Sequence, residues 1–247
     1  MVLRPFFSYF GSKWMLARHY PAPTHDTIIE PFAGSAGYAL NYSDRKVILY
    51  DVDPVIVGVW DYLIHASAQE IMRLPLEFDR VSDLTYLSQE VRWLLGFWVN
   101  KGVSSPRNMP SAWMRLGKDI GKDNGTFWGK SVRDRLALQV DQIRHWEIIH
   151  LTYKDINNRT ATWFVDPPYY ESGKGYCFND VKFDYVGSWC KGLEGQVIVC
   201  EQEGADWLPF KPFREMCTVR SAVNGIRGKE VVWIKSCEQC FQLEAVA

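Results

Sequence analysis

The sequence predicts an open α/β fold on a mostly parallel sheet, and three observations predict it. Short apolar, β-branched runs recur along the chain; the first runs into a glycine turn, Ala33-Gly34-Ser35-Ala36-Gly37; and two of the later runs end in an acid, Asp51 and Asp166. Strand, glycine turn, helix and a second strand ending in acid is how a nucleotide-binding sheet begins.

Taken in order, Thr27-Ile28-Ile29-Glu30-Pro31-Phe32 reads as a strand entering the glycine turn, with a helix expected from Tyr38. Val47-Ile48-Leu49-Tyr50 is a second strand, ending at Asp51-Val52-Asp53-Pro54, with a helix over residues 55–65. Later strands are expected at residues 148–151, 162–165 and 196–200. A last pair, residues 216–221 and 230–235, flanks Asn224-Gly225-Ile226-Arg227-Gly228, and turn residues between two strand-like runs predict an antiparallel hairpin. The segments 1–65 and 146–247 thus read as one catalytic α/β domain, and residues 66–145 as an inserted, mainly helical subdomain.

That insert differs in character. Residues 92–145 hold ten Lys/Arg, among them Lys101, Arg107, Arg115, Lys118, Lys122 and Lys130, against four Asp, in a chain whose net charge is −1. Trp93, Phe97, Trp98, Trp113, Phe127 and Trp128 are interleaved with them, and four glycines interrupt helix. Such a run is either a solvated face or a nucleic-acid-recognition surface; aromatics and glycine loops among the charges favour the second.

Composition narrows the classes. With 47% apolar and 23% charged residues the chain is neither disordered nor coated in one charge. No apolar run reaches membrane-spanning length and no signal-peptide core opens the chain, so a cytoplasmic location and no membrane partner are expected. The six cysteines are scattered and read as free thiols; Cys237-x-x-Cys240 lacks a second pair, so no metal is expected.

Asp166-Pro167-Pro168-Tyr169 follows the run Thr162-Trp163-Phe164-Val165. The bland reading is a strand stopped by a proline turn. The chemical reading starts from the prolines, which carry no N–H and so leave backbone carbonyls with few local donors. With the Asp166 carboxylate and the Tyr169 ring, the tetrapeptide suits a planar amine: two acceptors for two N–H bonds and a face to stack on. Upstream, the loop from Glu30 to Gly37 is not G-x-G-x-x-G and is poor in glycines for a pyrophosphate. It still allows close approach to the backbone, a helix N-terminus beyond it would favour a carboxylate, and Asp51 stands where ribose hydroxyls are taken. A ligand with a carboxylate, a ribose and an adenine but no phosphate is S-adenosylmethionine.

These motifs, in this order, resemble the Dam-type family of DNA adenine-N6 methyltransferases. The resemblance rests on Phe7-Ser8-Tyr9-Phe10-Gly11-Ser12-Lys13, Ile29-Glu30-Pro31-Phe32-Ala33-Gly34, Tyr50-Asp51-Val52-Asp53, Tyr153-Lys154-Asp155 and Asp166-Pro167-Pro168-Tyr169, with Arg227 and Lys229 of the closing hairpin. It implies a Rossmann-like, three-layer S-adenosylmethionine-dependent methyltransferase sheet with a C-terminal hairpin. It further implies that Tyr9, Lys13, Glu30, Phe32, Gly34, Asp51, Asp155 and Asp166 bind the methyl donor. Asp166, Pro167 and Tyr169 would be catalytic, and Lys101, Arg107, Arg115, Lys118, Lys122, Lys130 and Arg227 would face double-stranded DNA, with no obligate protein partner. Some relatives carry a lysine that reads a guanine where this chain has Ser8, so the recognition sequence does not transfer.

The expected reaction draws adenine N6 toward tetrahedral geometry through Asp166 and the Pro167 carbonyl, so that its lone pair attacks the sulfonium methyl. The base must leave the stack to react, and Tyr169 would receive it. Rival readings are the same chemistry on an RNA adenine, on cytosine N4 or on a protein glutamine; a nicotinamide-dependent oxidoreductase; and a non-catalytic DNA-binding relative.

Overall fold

The computed structural model describes residues 2–119, 123, 125–170, 173–214 and 229–236. In chain order the helices are α1 (Trp14–Ala17), α2 (Pro54–His65), α3 (Ala68–Met72), α4 (Gln89–Trp98), α5 (Ala112–Asp119), α6 (Lys130–Gln139) and α7 (Phe183–Gly192). The strands are β1 (Thr27–Glu30), β2 (Lys46–Asp51), β3 (Glu147–His150), β4 (Ala161–Val165), β5 (Gly195–Gln202), β6 (Lys211–Arg214) and β7 (Glu230–Lys235). They form a single sheet in the order β3-β2-β1-β4-β5-β7-β6. The first five run parallel, and β7 lies antiparallel to both β5 and β6. The result is a Rossmann-like mixed α/β sheet.

Why these runs make a doubly covered sheet is visible in their alternation. Ile28, Val47, Leu49, Phe164, Ile198 and Cys200 face one side, and Ile29, Ile48, Tyr50, Trp163, Val165, Val197 and Val199 face the other. Both sets are buried, as a parallel sheet requires. α7 covers the second face through Val186 and Cys190; the first is covered by the N-terminal segment, α2 and the helices that follow it. α2 starts where Asp53 accepts the Val55 N–H (2.8 Å) with Pro54 at the first helical position, and it buries Ile56, Val59, Trp60 and Leu63 at three- and four-residue spacing.

Two readings change. The helix foreseen from Tyr38 is one short 3-10 segment, Ala39–Tyr42, because the chain reaches β2 only four residues later. The strand foreseen at residues 216–221 and the Asn224-Gly225 turn lie outside the described residues. β7 pairs antiparallel with β6, across Pro212↔Val231 and Arg214↔Glu230. Lys-Pro-Phe-Arg did not read as a strand, yet a proline and charges are tolerated at a sheet edge, where one row of N–H groups goes unpaired.

Residues 66–145 do contribute helices, α3 to α6, but not a core of their own. Leu94, Leu95, Phe97, Trp98, Trp128, Val132 and Leu136 belong to the same buried cluster as Phe6, Phe7, Trp60 and Phe164. The seam is tied by Trp98 Nε1 donating to the Phe6 carbonyl (2.8 Å) and by Arg144 donating to the Ile64 carbonyl (2.8 Å).

Candidate active site

The strand order reverses between β1 and β4, and in an open α/β sheet the crevice outside the strand ends at that point is where a ligand binds. A cavity of about 360 Å³ opens there. Its walls come from five stretches: residues 9–13, the loop after β1, residues 51–53 after β2, residues 152–154 after β3, and Asp166 and Pro168 after β4. Residues 176–181 close it.

The glycine loop is built by backbone geometry. Gly34 has φ +44°, a conformation side chains rarely adopt, and a Cβ there would meet the Tyr9 ring at 3.1 Å. Its N–H donates to Asp51 Oδ2 (3.1 Å) and its carbonyl accepts from Trp60 Nε1 (2.8 Å), so the loop is pinned to β2 and α2. Asp51 Oδ1 accepts the Asp53 N–H (2.9 Å). Burial pushes the Asp51 carboxyl up to about 6, and these N–H donors pull the other way. Ala36 also holds a positive φ, +50°, without being glycine. The expected anion site at a helix N-terminus is not formed: the short 3-10 segment directs its Ala39 N–H (2.7 Å) to the buried Glu30 carboxyl instead. Burial raises Glu30 to about 8.

Around Asp166 the charges are close. Lys13 Nζ lies 3.0 Å from Asp166 Oδ1, 3.8 Å from Glu230 Oε1, and 4.4 Å from the centre of the Tyr169 ring. Lys13 is 8% exposed. Burial alone would push the Lys13 ammonium down, but Asp166 and Glu230, with smaller contributions from Cys200 and Tyr176, outweigh it and hold it above its ordinary range. Asp166 is raised to about 6, chiefly by burial, with Lys13 opposing and Glu230 reinforcing the rise. Glu230, at the start of β7, accepts from Tyr169 Oη (2.6 Å) and Tyr20 Oη (2.8 Å).

Tyr9, Lys13, Glu30, Phe32, Gly34, Asp51 and Asp166 therefore share one cavity, although they come from four separated parts of the chain. Phe32 packs on Tyr153 (5.3 Å between rings). Asp155 does not join them; it is exposed, while its neighbours Tyr153 and Lys154 line the wall. The single turn of 3-10 helix over Tyr153–Asp155 explains this, since consecutive side chains point different ways. Pro167 is buried, and neither it nor Tyr169 lines the cavity; the Tyr169 hydroxyl is tied to Glu230. The wall at residues 176–181 and Glu230 went unforeseen. Tyr176 packs near Tyr9 and Phe10 (6.1 and 5.6 Å), but nothing in its spacing marks it. A glutamate opening a strand gave no signal either.

The basic residues divide. Lys101 and Arg107 are exposed, and Lys101 adjoins the cavity wall: Gly102 N donates to Ser8 Oγ (3.0 Å), Phe10 N to the Val103 carbonyl (3.1 Å) and Ser104 Oγ to the Gly175 carbonyl (2.7 Å). Arg115 is exposed but donates to the Pro110 carbonyl (2.7 Å). Lys130 and Arg133 both pair with Asp134, and Arg144 pairs with Asp141 (3.0 Å), so part of the insert's positive balance is neutralised locally. Lys118 falls within α5; Lys122 and Arg227 lie outside the described residues. No group of three or more His, Cys, Asp or Glu able to hold a metal occurs among the described residues, and no helix among them is long and apolar enough to cross a membrane.

No family model matches this chain, and no curated protein matches it. Among solved structures it is similar to a conserved hypothetical protein from Streptococcus pyogenes, at 11% identity over 90% of this chain and 91% of that one, with a TM-score of 0.39. That likeness is too distant to bear on activity.

Proposed function

We propose that this chain is an S-adenosylmethionine-dependent methyltransferase that modifies N6 of an adenine flipped out of double-stranded DNA. One observation carries the reading: at the sheet's switch point, Asp166 of the D-P-P-Y tetrapeptide opens into the same cavity as the Gly34 loop and the Asp51 carboxylate. The residues suit the donor. Phe32, Tyr153 and Tyr9 offer apolar faces to an adenine, Asp51 keeps lone pairs for ribose hydroxyls beyond its two backbone bonds, and the acids favour a sulfonium cation. Gly34 leaves the backbone open to close approach.

When bound, the donor supplies an electrophilic methyl: the acceptor nitrogen's lone pair forms the N–C bond while the C–S pair stays on sulfur as a neutral thioether. The protein's part is to prepare that lone pair. Asp166 accepts one N–H of the exocyclic amine and the Pro167 carbonyl the other. The carboxylate then stabilises the positive charge that develops on nitrogen, by an electrostatic field already in place. The surplus proton leaves the methylated amine through Asp166 to solvent. Tyr169 is anchored through its hydroxyl with Lys13 over its ring, and in this reading the ring's other face would receive the base. Stacking of roughly 1–3 kcal/mol helps offset an unstacking cost of a few kcal/mol.

Long-read modification sequencing of DNA from cells expressing the protein, beside an Asp166→Ala control, tests this. N6-methyladenine in one short motif, absent from the control, is the expected result. If no modified base appears, the DNA-adenine reading is wrong; labelled donor with RNA and protein fractions then identifies any other amine.

A further inference from the structure

The pairing of Lys13 with Asp166 poses a problem for the reaction proposed above, on which this inference rests. A carboxylate 3.0 Å from an ammonium is largely cancelled by it, and a cancelled carboxylate does little for a cation developing on the acceptor nitrogen. The second carboxylate resolves this. Glu230 Oε1 stands 3.8 Å from the same Lys13 Nζ, is 5% exposed, and is oriented by two phenols, Tyr169 Oη (2.6 Å) and Tyr20 Oη (2.8 Å).

We propose that Glu230 is a positioning residue: it holds Lys13 from the side away from the cavity, so that Lys13, Asp166 and Glu230 together keep one net negative charge facing the reacting amine. Its second task is to fix the Tyr169 ring through the hydroxyl. Neither task needs Glu230 to touch substrate, since it acts through Lys13 and Tyr169.

The groups that face Asp166 come from every side. Lys13 and Tyr20 come from the N-terminal segment, Glu30 from β1, Tyr169 from its own loop, Cys200 and Glu201 from β5, Tyr176 from the closing wall and Glu230 from β7. Among them Lys13 and Glu230 are the charged groups that act most strongly on Asp166, and with opposite signs. Neutralising Glu230 leaves Lys13 to Asp166 alone and holds Asp166 ionised to lower pH.

The test compares wild type, Glu230→Gln and Glu230→Asp. The titration midpoint of Asp166 is followed by carboxyl carbon NMR, assigned with Asp166→Asn, and methyl transfer is followed as a function of pH. For Glu230→Gln the midpoint should fall by about half a pH unit, and the acid limb of turnover should move with it. Turnover at the plateau should drop at least about tenfold with the donor KM little changed, while Glu230→Asp restores part of it. A midpoint unchanged in Glu230→Gln, or a plateau at the wild-type rate, overturns the proposal. A residue that merely braced the hairpin would lower thermal stability without moving either midpoint. If Glu230→Gln does not fold, Glu230→Asp carries the same comparison with a smaller shift. Should wild type transfer no methyl group to DNA, the functional reading fails separately, and the NMR midpoint still decides whether Glu230 sets the charge on Asp166.

Discussion

Lys13 Nζ and Asp166 Oδ1 lie 3.0 Å apart, joining the N-terminal segment to the residue after β4 in the wall of the cavity. The pair is enclosed, so its energy is not the small value of a surface ion pair, and removing one partner strands the other's charge. Lys13→Met should therefore raise the Asp166 pKa above about 6, since the lysine is the main influence holding it down. The acid limb of turnover moves toward neutral pH, opposite in sign to the change expected for Glu230→Gln. A pH–rate profile of the variant checks this, and a limb that stays put refutes the coupling.

In the wild type, Asp166 must be ionised to accept the amine's hydrogen. Protonation below about pH 6 should remove activity along a single-proton limb, with donor binding far less affected. Rate measured under saturating donor from acid to neutral pH checks the position of the limb.

Glu30 gives a prediction about stability rather than rate. A carboxyl whose folded pKa lies above its unfolded value contributes stability below the unfolded value, and loses that contribution as pH rises through the folded one. For Glu30 the window runs from 4.5 to about 8. Unfolding free energy should decline across it by up to about 1.4 kcal/mol per pH unit from this residue. Denaturant unfolding at several pH values, with Glu30→Gln beside wild type, checks it: the variant should show the flatter dependence, and equal slopes would count against a neutral Glu30.

Gly34→Ala should hurt both fold and site. The positive φ costs a side chain about 1 kcal/mol, and the added methyl meets the Tyr9 ring at 3.1 Å. A lower melting temperature together with weaker donor binding by calorimetry is expected. Loss of stability without loss of binding would mean that the loop does not touch the donor.

Lys101 and Arg107 are the exposed cations of residues 92–145 with the clearest claim on DNA. Replacing both with glutamine should weaken binding and lower the slope of log affinity against log salt by about 1 for each phosphate that the protein no longer neutralises. Lys130→Gln should do less, because Asp134 already engages its charge. A salt slope unchanged in the double variant would put the DNA on another face.

The residue pattern along the chain was enough for most of the sheet and for several of the residues that line the cavity. Short continuous apolar, β-branched runs mark β1, β2, β4 and β5 because a parallel sheet covered on both faces buries successive side chains along them, and acids at the ends of β2 and β4 stand where that sheet opens a crevice. Local chemistry also marked the Gly34 turn and the Asp53-Pro54 start of α2, since backbone conformation and capping are decided within a few residues. What local pattern did not carry is anything set by interactions across the chain. β6 reads as loop because its proline and charges are allowed only at an edge. The insert merges with the core because Trp98 and Phe97 happen to face Phe6 and Phe7. Asp155 turns outward while Tyr176, without any motif, closes the wall. Above all, the charge environment of Asp166 belongs to the tertiary structure. Lys13 and Glu230 are ordinary surface residue types by composition, and only the closing of the sheet through β7 removes them from water and sets the lysine within reach of two carboxylates, where low dielectric makes their separations matter.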